Sequence, residues 1–268
     1  MLRIERQGAI VVFIVDRAET KNALDHATID QLSDAVQEAK GDRSIRAAVL
    51  TGAGHMFVSG GDLRELRAQT GPQDAERLSD AGHDLCTQIT ELPFPVIAAL
   101  PGPAIGGGAE LALACDLRVA DVRAKLSFKQ VRMGVTTAWG TVPRLLALTG
   151  AGVAARLLYA GHELAAAEAK LLGLVDEVTE NGLARTTALA WASDIAEGSP
   201  RAVAEMKRLV QEAIVNGGAS SSRHGAVRTT SRRSRRSSSV ARRAGTTAEP
   251  RERVRARVLS GSWQAPGA

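Results

Sequence analysis

A chain of 268 residues with 44% apolar but only 3% aromatic content can build a sizeable core, and that core must be aliphatic. Its net charge of +5 averages two unlike parts: residues 1–216 carry 22 Lys and Arg against 27 Asp and Glu, whereas residues 217–268 carry 12 Arg against two Glu. The basic character belongs to the last fifth, which excludes a nucleic-acid reading of the body of the chain from charge alone.

No apolar run reaches the ~20 residues that cross a bilayer, and the start, Met1-Leu2-Arg3-Ile4-Glu5-Arg6, has no secretory apolar region. No membrane association is expected. Cys86 and Cys115 fit neither metal nor redox spacing and read as reduced thiols, which goes with a cytoplasmic location. The five histidines form no ligand cluster, so no metal is expected.

Taken in chain order, Ala9-Ile10-Val11-Val12-Phe13-Ile14-Val15 is a short β-branched run and reads as a buried strand. Ile29, Leu32, Val36 and Ala39 recur at helical spacing, which predicts an amphipathic helix over 27–40. Residues 47–51 form the next strand, and a glycine-rich loop follows from Gly52 to Gly61. Ala75, Leu78, Gly82, Leu85 and Ile89 mark one face of a longer helix. Residues 95–100 are a third strand, broken by Pro101-Gly102-Pro103. A helix over 109–115 and a strand over 117–120 come next, and 141–214 is almost wholly helical, punctuated by Gly150, Gly161, Gly173, Gly182 and Ser199-Pro200. Strands alternating with helices indicate an α/β fold.

Composition changes abruptly at Asn216-Gly217-Gly218. Residues 217–243 hold eight Arg, eight Ser and no acidic residue, without apolar periodicity, and are expected to be disordered. Three readings stand for this tail: a basic extension, a polyanion-binding run centred on Arg232-Arg233-Ser234-Arg235-Arg236, or a shifted reading frame. The first and third are preferred, so nucleic-acid binding is not expected.

Chemistry is concentrated in two glycine loops, Gly52–Gly61 and Gly102-Pro103-Ala104-Ile105-Gly106-Gly107-Gly108, the second opening into a helix. Free N–H groups at such a helix start suit an oxyanion. A dinucleotide fingerprint would follow the first strand, and a P-loop would need Gly-Lys-Ser/Thr; neither is present. Each loop alone could equally be a tight turn.

Their context decides. Asp16-Arg17-Ala18-Glu19-Thr20-Lys21-Asn22-Ala23-Leu24, Ser59-Gly60-Gly61-Asp62-Leu63 and Ala104-Ile105-Gly106-Gly107-Gly108-Ala109-Glu110-Leu111 stand in the order of the crotonase (enoyl-CoA hydratase/isomerase) superfamily. Residues 165–169 and Leu172-Gly173-Leu174-Val175 add a similar helix and turn, and the chain resembles that superfamily from about 9 to 210. The resemblance implies a spiral of ββα units followed by a helical C-terminal region. The element pattern and the composition change divide the chain into a core at 1–140 with the CoA-thioester site, a helical region at 141–216 and a departing tail at 217–268. The resemblance also implies an acyl-CoA thioester substrate, no cofactor beyond that coenzyme A, and a homotrimer or hexamer.

By motif position, the Gly61 and Gly107 N–H groups bind the thioester oxygen as it becomes an enolate, and Glu110 is the acid/base carboxylate. Lys21, Ala23, Ser59, Asp62, Leu63 and Arg64 fall at the substrate and CoA contacts. The resemblance places a second glutamate where this chain has Gln130, which cannot exchange a proton at neutral pH. Hydration is therefore less favoured than the family name suggests. The alternatives are decarboxylation of a malonyl-type thioester or a catalytically weak CoA-binding protein. Thr136 and Thr137 stand where the family has a Pro-Gly turn; pocket hydroxyls or a helix N-cap are their expected roles.

Overall fold

The computed structural model describes residues 1–62, 64–65 and 72–217; Leu63 and the basic tail from 218 onward lie outside the described residues. Six strands form one sheet in the order β1 (Leu2–Gln7), β2 (Ile10–Val15), β3 (Ala47–Gly52), β4 (Val96–Leu100), β6 (Leu117–Asp121) and β9 (Glu177–Thr179). The β1–β2 pair is antiparallel and the rest are parallel. A smaller sheet joins β5 (Ala104–Ile105), β7 (Lys125–Ser127) and β8 (Glu163–Ala165). An isolated parallel bridge between Val58 and Ala104 carries that sheet toward the first glycine loop. The turns β4–β5 and β6–β7 each give one strand to each sheet before a helix, as expected for a ββα spiral.

The helices are α1 (His26–Gly41), α2 (Pro72–Thr90), α3 (Gly107–Ala114), α4 (Thr141–Ala160), α5 (Ala166–Leu171), α6 (Ala184–Glu197) and α7 (Pro200–Gly217). Strand β2 reads as a continuous apolar run because both of its faces are covered. Val11, Phe13 and Val15 face the main core with α1 to α4, while Ile10, Val12 and Ile14 pack with Ala184, Ala188 and Ala192 of α6. The stretch expected to be almost wholly helical holds β8 and β9, so residues beyond 141 complete both sheets.

By length and composition α4 is apolar enough to cross a membrane, alone among the described helices. Its backbone leaves the helical region at Gly150 (φ 75°, ψ 168°), and it carries Arg144 and Arg156. Neither half approaches the ~20 residues a span requires. Helix α7 is pinned by a buried cation: Lys207 Nζ donates to the Ile89 and Phe94 carbonyl oxygens at 3.1 and 3.0 Å and pairs with Asp116 at 2.8 Å. Cys86 and Cys115 are buried and free.

Candidate active site

The two glycine loops run side by side. The Phe57 N–H donates to the Pro103 oxygen at 3.1 Å and the Ile105 N–H to the Val58 oxygen at 3.0 Å, which is strand pairing carried into the loops. In each loop a left-handed glycine precedes the expected donor: Gly60 (φ 106°) before Gly61, and Gly106 (φ 56°) before Gly107. Only glycine takes such angles readily, and each one turns the next peptide away from strand geometry. A Cβ placed on Gly60 would lie 3.5 Å from the Gly107 nitrogen, so the loops converge where the donors are. Neither the Gly61 nor the Gly107 N–H donates a hydrogen bond among the described residues. Gly107 is also the first residue of α3, where the free N–H groups and the helix dipole reinforce one another.

Glu110 lies in the first turn of α3 and is 3% exposed. Its Oε1 accepts from the Ala138 N–H (3.1 Å), the Trp139 N–H (3.2 Å) and Thr141 Oγ1 (2.7 Å). Among the described residues its Oε2 accepts only from Gln130 Nε2, at 2.8 Å. Oε1 is therefore saturated, and Oε2 keeps an open lone pair for a proton. Burial pushes the Glu110 carboxyl above its ordinary value, partly opposed by hydrogen bonds from Thr141, Trp139, Gln130 and Ala138. Gln130 Oε1 is buried without a hydrogen-bond partner among the described residues, an acceptor held beside Glu110 Oε2.

Thr141 corrects the sequence expectation for this turn. Helix α4 begins at Thr141 behind Gly140, and no side chain caps it. Thr136 and Thr137 therefore have no capping role, and the hydroxyl that reaches the carboxylate is Thr141.

The segment 16–24 holds the first loop in place. Leu24 bridges to Gly61, its N–H donating to the Gly60 oxygen (2.8 Å) and its oxygen accepting from the Asp62 N–H (2.9 Å). Asn22 is fully buried; its Nδ2 donates to the Ala53 and Met56 oxygens (2.9 and 2.7 Å), and its Oδ1 accepts from the Arg17 N–H (2.9 Å). Both Lys21 and Asn22 are left-handed, at φ 58° and 57°, strained for a side-chain-bearing pair. Asn22→Ala removes three buried hydrogen bonds and is expected to destabilise the protein by about 3 kcal/mol, at roughly 1 kcal/mol per bond. A urea titration checks this, and a loss below about 1 kcal/mol contradicts the clamp.

Apart from Leu63, which is outside the described residues, the residues expected at the CoA contacts lie together, with distinct roles. Lys21 and Arg64 are exposed, Ala23 is buried with its oxygen accepting from Arg17 Nη1 (2.6 Å), and Ser59 Oγ donates to the Thr20 oxygen (3.3 Å). Asp62 is buried against Arg17, which also pairs with Asp25 at 2.8 Å. The Asp62 carboxylate therefore anchors the loop, a role its place in the motif did not reveal. Arg17 is the hub that sequence reading missed, because its three partners are brought together only by the fold.

The sequence profile of the enoyl-CoA hydratase/isomerase family matches residues 5–238, past the composition change at 217. The chain is 32% identical over 212 residues to the short-chain-enoyl-CoA hydratase of Clostridium acetobutylicum, covering 79% of this chain and 81% of that one. It is 31% identical over 211 residues to the 2,3-dehydroadipyl-CoA hydratase of Escherichia coli, covering 79% and 82%. The crystal structure of an enoyl-CoA hydratase from Bacillus anthracis superposes with a TM-score of 0.77 at 31% identity, over 81% of this chain and 86% of that one. With two converging glycine loops, a carboxylate beside them and these relatives, the chain belongs to the enoyl-CoA hydratase/isomerase family.

Proposed function

We propose that this protein acts on enoyl-CoA thioesters with Glu110 as its only proton-shuttling carboxylate. The observation that carries this reading is the asymmetry of Glu110: three donors fix Oε1, while Oε2 faces Gln130 and is free to exchange a proton. In the isomerisation of a 3-enoyl thioester, Oε2 takes the proton from C2. The electron pair of that C–H bond moves into the thioester, whose oxygen becomes an anion between the Gly61 and Gly107 N–H groups. The pair then returns through the double bond, and C4 takes the proton back from Oε2. One carboxylate completes the cycle, and no cofactor beyond the coenzyme A of the substrate enters it. The hydratase names of the relatives favour this enoyl-CoA chemistry over decarboxylation.

Hydration asks more, because water must be held and deprotonated while C2 gains a proton. Gln130 can hold water through its unpartnered Oε1 but cannot take or give the proton. Turnover of crotonyl-CoA and of a 3-enoyl-CoA tests the proposal, and failure to turn over both rejects it. Gln130→Glu sets a second carboxyl 2.8 Å from Glu110 Oε2, and the pair will share a proton. Crotonyl-CoA hydration is expected to rise by about tenfold or more; an unchanged rate means that the absent carboxylate is not the limitation. The proposal extends to a cytoplasmic homotrimer or hexamer. The exposed apolar stripe Met206, Leu209 and Val210 on α7 supports self-association.

A further inference from the structure

Trp139 meets both halves of the candidate chemistry, Gly107 with its indole and Glu110 with its main chain, and is 5% exposed. A Cβ placed on Gly107 would lie 2.7 and 2.8 Å from its Cη2 and Cζ3. A Cβ placed on Gly82 of α2 would lie 1.9, 2.2 and 2.3 Å from its Cε2, Nε1 and Cζ2. One ring is thus held between two glycines from different helices, each bare on the side that faces it. The main chain of the same residue serves the carboxylate: the Trp139 N–H donates to Glu110 Oε1, and its oxygen accepts from Arg144 Nη1 at 2.7 Å. The neighbouring peptide repeats the pattern, with the Ala138 N–H on Glu110 and His83 Nδ1, next to Gly82, 3.2 Å from the Ala138 oxygen.

We infer that Gly82 and Trp139 are positioning residues: the Gly82 notch seats the indole, and the seated indole holds the Gly107 donor and the Glu110 carboxylate in register. This rests on the assignment of Gly107 and Glu110 as oxyanion donor and proton shuttle. Helix α2 supplies no group to that chemistry; it acts through the ring it receives. A methyl at Gly82 meets the ring at less than van der Waals distance, and the rigid indole can yield only by moving as a body. That movement draws the Trp139 main-chain N–H away from Glu110 and the far edge of the ring away from Gly107. Alanine is the better helix former, so any loss at this position comes from the clash.

The experiment compares Gly82→Ala, Trp139→Phe and the double variant with the parent, using a 3-enoyl-CoA, across pH. Gly82→Ala is expected to lower kcat by about tenfold or more, with KM changing by less than about threefold. It also shifts the acid limb of the rate profile, which a general loss of stability would not do. Phenylalanine is shorter and vacates the space the methyl needs. The double variant is therefore expected to return to within about threefold of Trp139→Phe alone, a strongly non-additive result. A folded Gly82→Ala protein with kcat and acid limb within about twofold of the parent overturns the inference, and so do additive effects. If Gly82→Ala alone does not fold, the double variant decides. Folding with the Trp139→Phe rate supports the notch, and misfolding overturns it, because the clash would then not be the cause. A Glu110→Gln arm separates the two levels. Parent-like turnover there rejects the site itself, whereas loss of turnover there with a silent Gly82→Ala rejects only the notch.

Discussion

Glu110→Gln is expected to lower kcat for a 3-enoyl-CoA by about 10²–10⁴-fold, the usual contribution of a positioned acid/base group, while leaving the fold intact. The replacement is nearly isosteric, and the site can absorb it. The Gln Oε1 keeps the Ala138, Trp139 and Thr141 donors, and its Nε2 then faces Gln130. A half-turn of the Gln130 amide offers that Nε2 the acceptor Oε1, which lacks a partner in the parent. Removing a buried carboxylate also removes its desolvation cost. Because burial raises the Glu110 carboxyl in the folded state, the parent loses stability as pH rises through that raised value, whereas the variant does not. The stability difference is absent below the ordinary glutamate range near about 4.3 and complete above the raised value. Activity runs the other way, since a base must be ionised: the parent rate falls as pH drops through the raised value, and the variant lacks that limb. Thermal unfolding beside a pH–rate profile reads both effects. A folded variant with kcat within about threefold of the parent removes Glu110 from the chemistry.

The part of this site that runs from each glycine pair to its donor, and from Gly107 to Glu110, was legible because it is local in sequence. Glycine pairs dictate left-handed turns before each donor, and three residues of helix carry Gly107 to Glu110. Gln130 was placed in the site by the resemblance alone, and its side chain meets Glu110 at 2.8 Å. The frame around the centre was not legible, because it depends on contacts between distant segments. Thr141 reaches Glu110 across 31 positions, Arg17 reaches Asp62 across 45, and Gly82 meets Trp139 only through packing. Strands β5, β7, β8 and β9 have two or three residues each, too few to show a period of two. Strand β1 was hidden by Arg3, Glu5 and Arg6 on a strand with mostly exposed positions. Helix α3 starts at Gly107, ahead of the predicted Ala109, because glycine lowers helix propensity where the backbone nevertheless turns helical.

Gly108→Ala is expected to lower kcat by about 10²–10³-fold, the effect of losing one oxyanion donor, although Gly108 offers no group to the substrate. A Cβ there would stand 2.0 Å from the Val58 oxygen and 2.7 Å from its carbonyl carbon. These are backbone atoms inside the pairing that joins the loops, where the same Val58 oxygen accepts from the Ile105 N–H at 3.0 Å. The methyl fits only if the loops separate by about 1 Å, and a displacement of that size at a catalytic group commonly costs about a hundredfold. Gly61 is carried by one loop and Gly107 by the other, so separation spoils their shared aim. Charge reaches the thioester oxygen only as the enolate forms, so kcat and kcat/KM should fall together while binding of a saturated acyl-CoA changes little. Gly152→Ala is the matched control: a Cβ there meets nothing within 4 Å, and the change should leave both kcat and folding near the parent. If Gly108→Ala folds and keeps kcat within about threefold of the parent, the close approach of the two loops is not what aligns the donors.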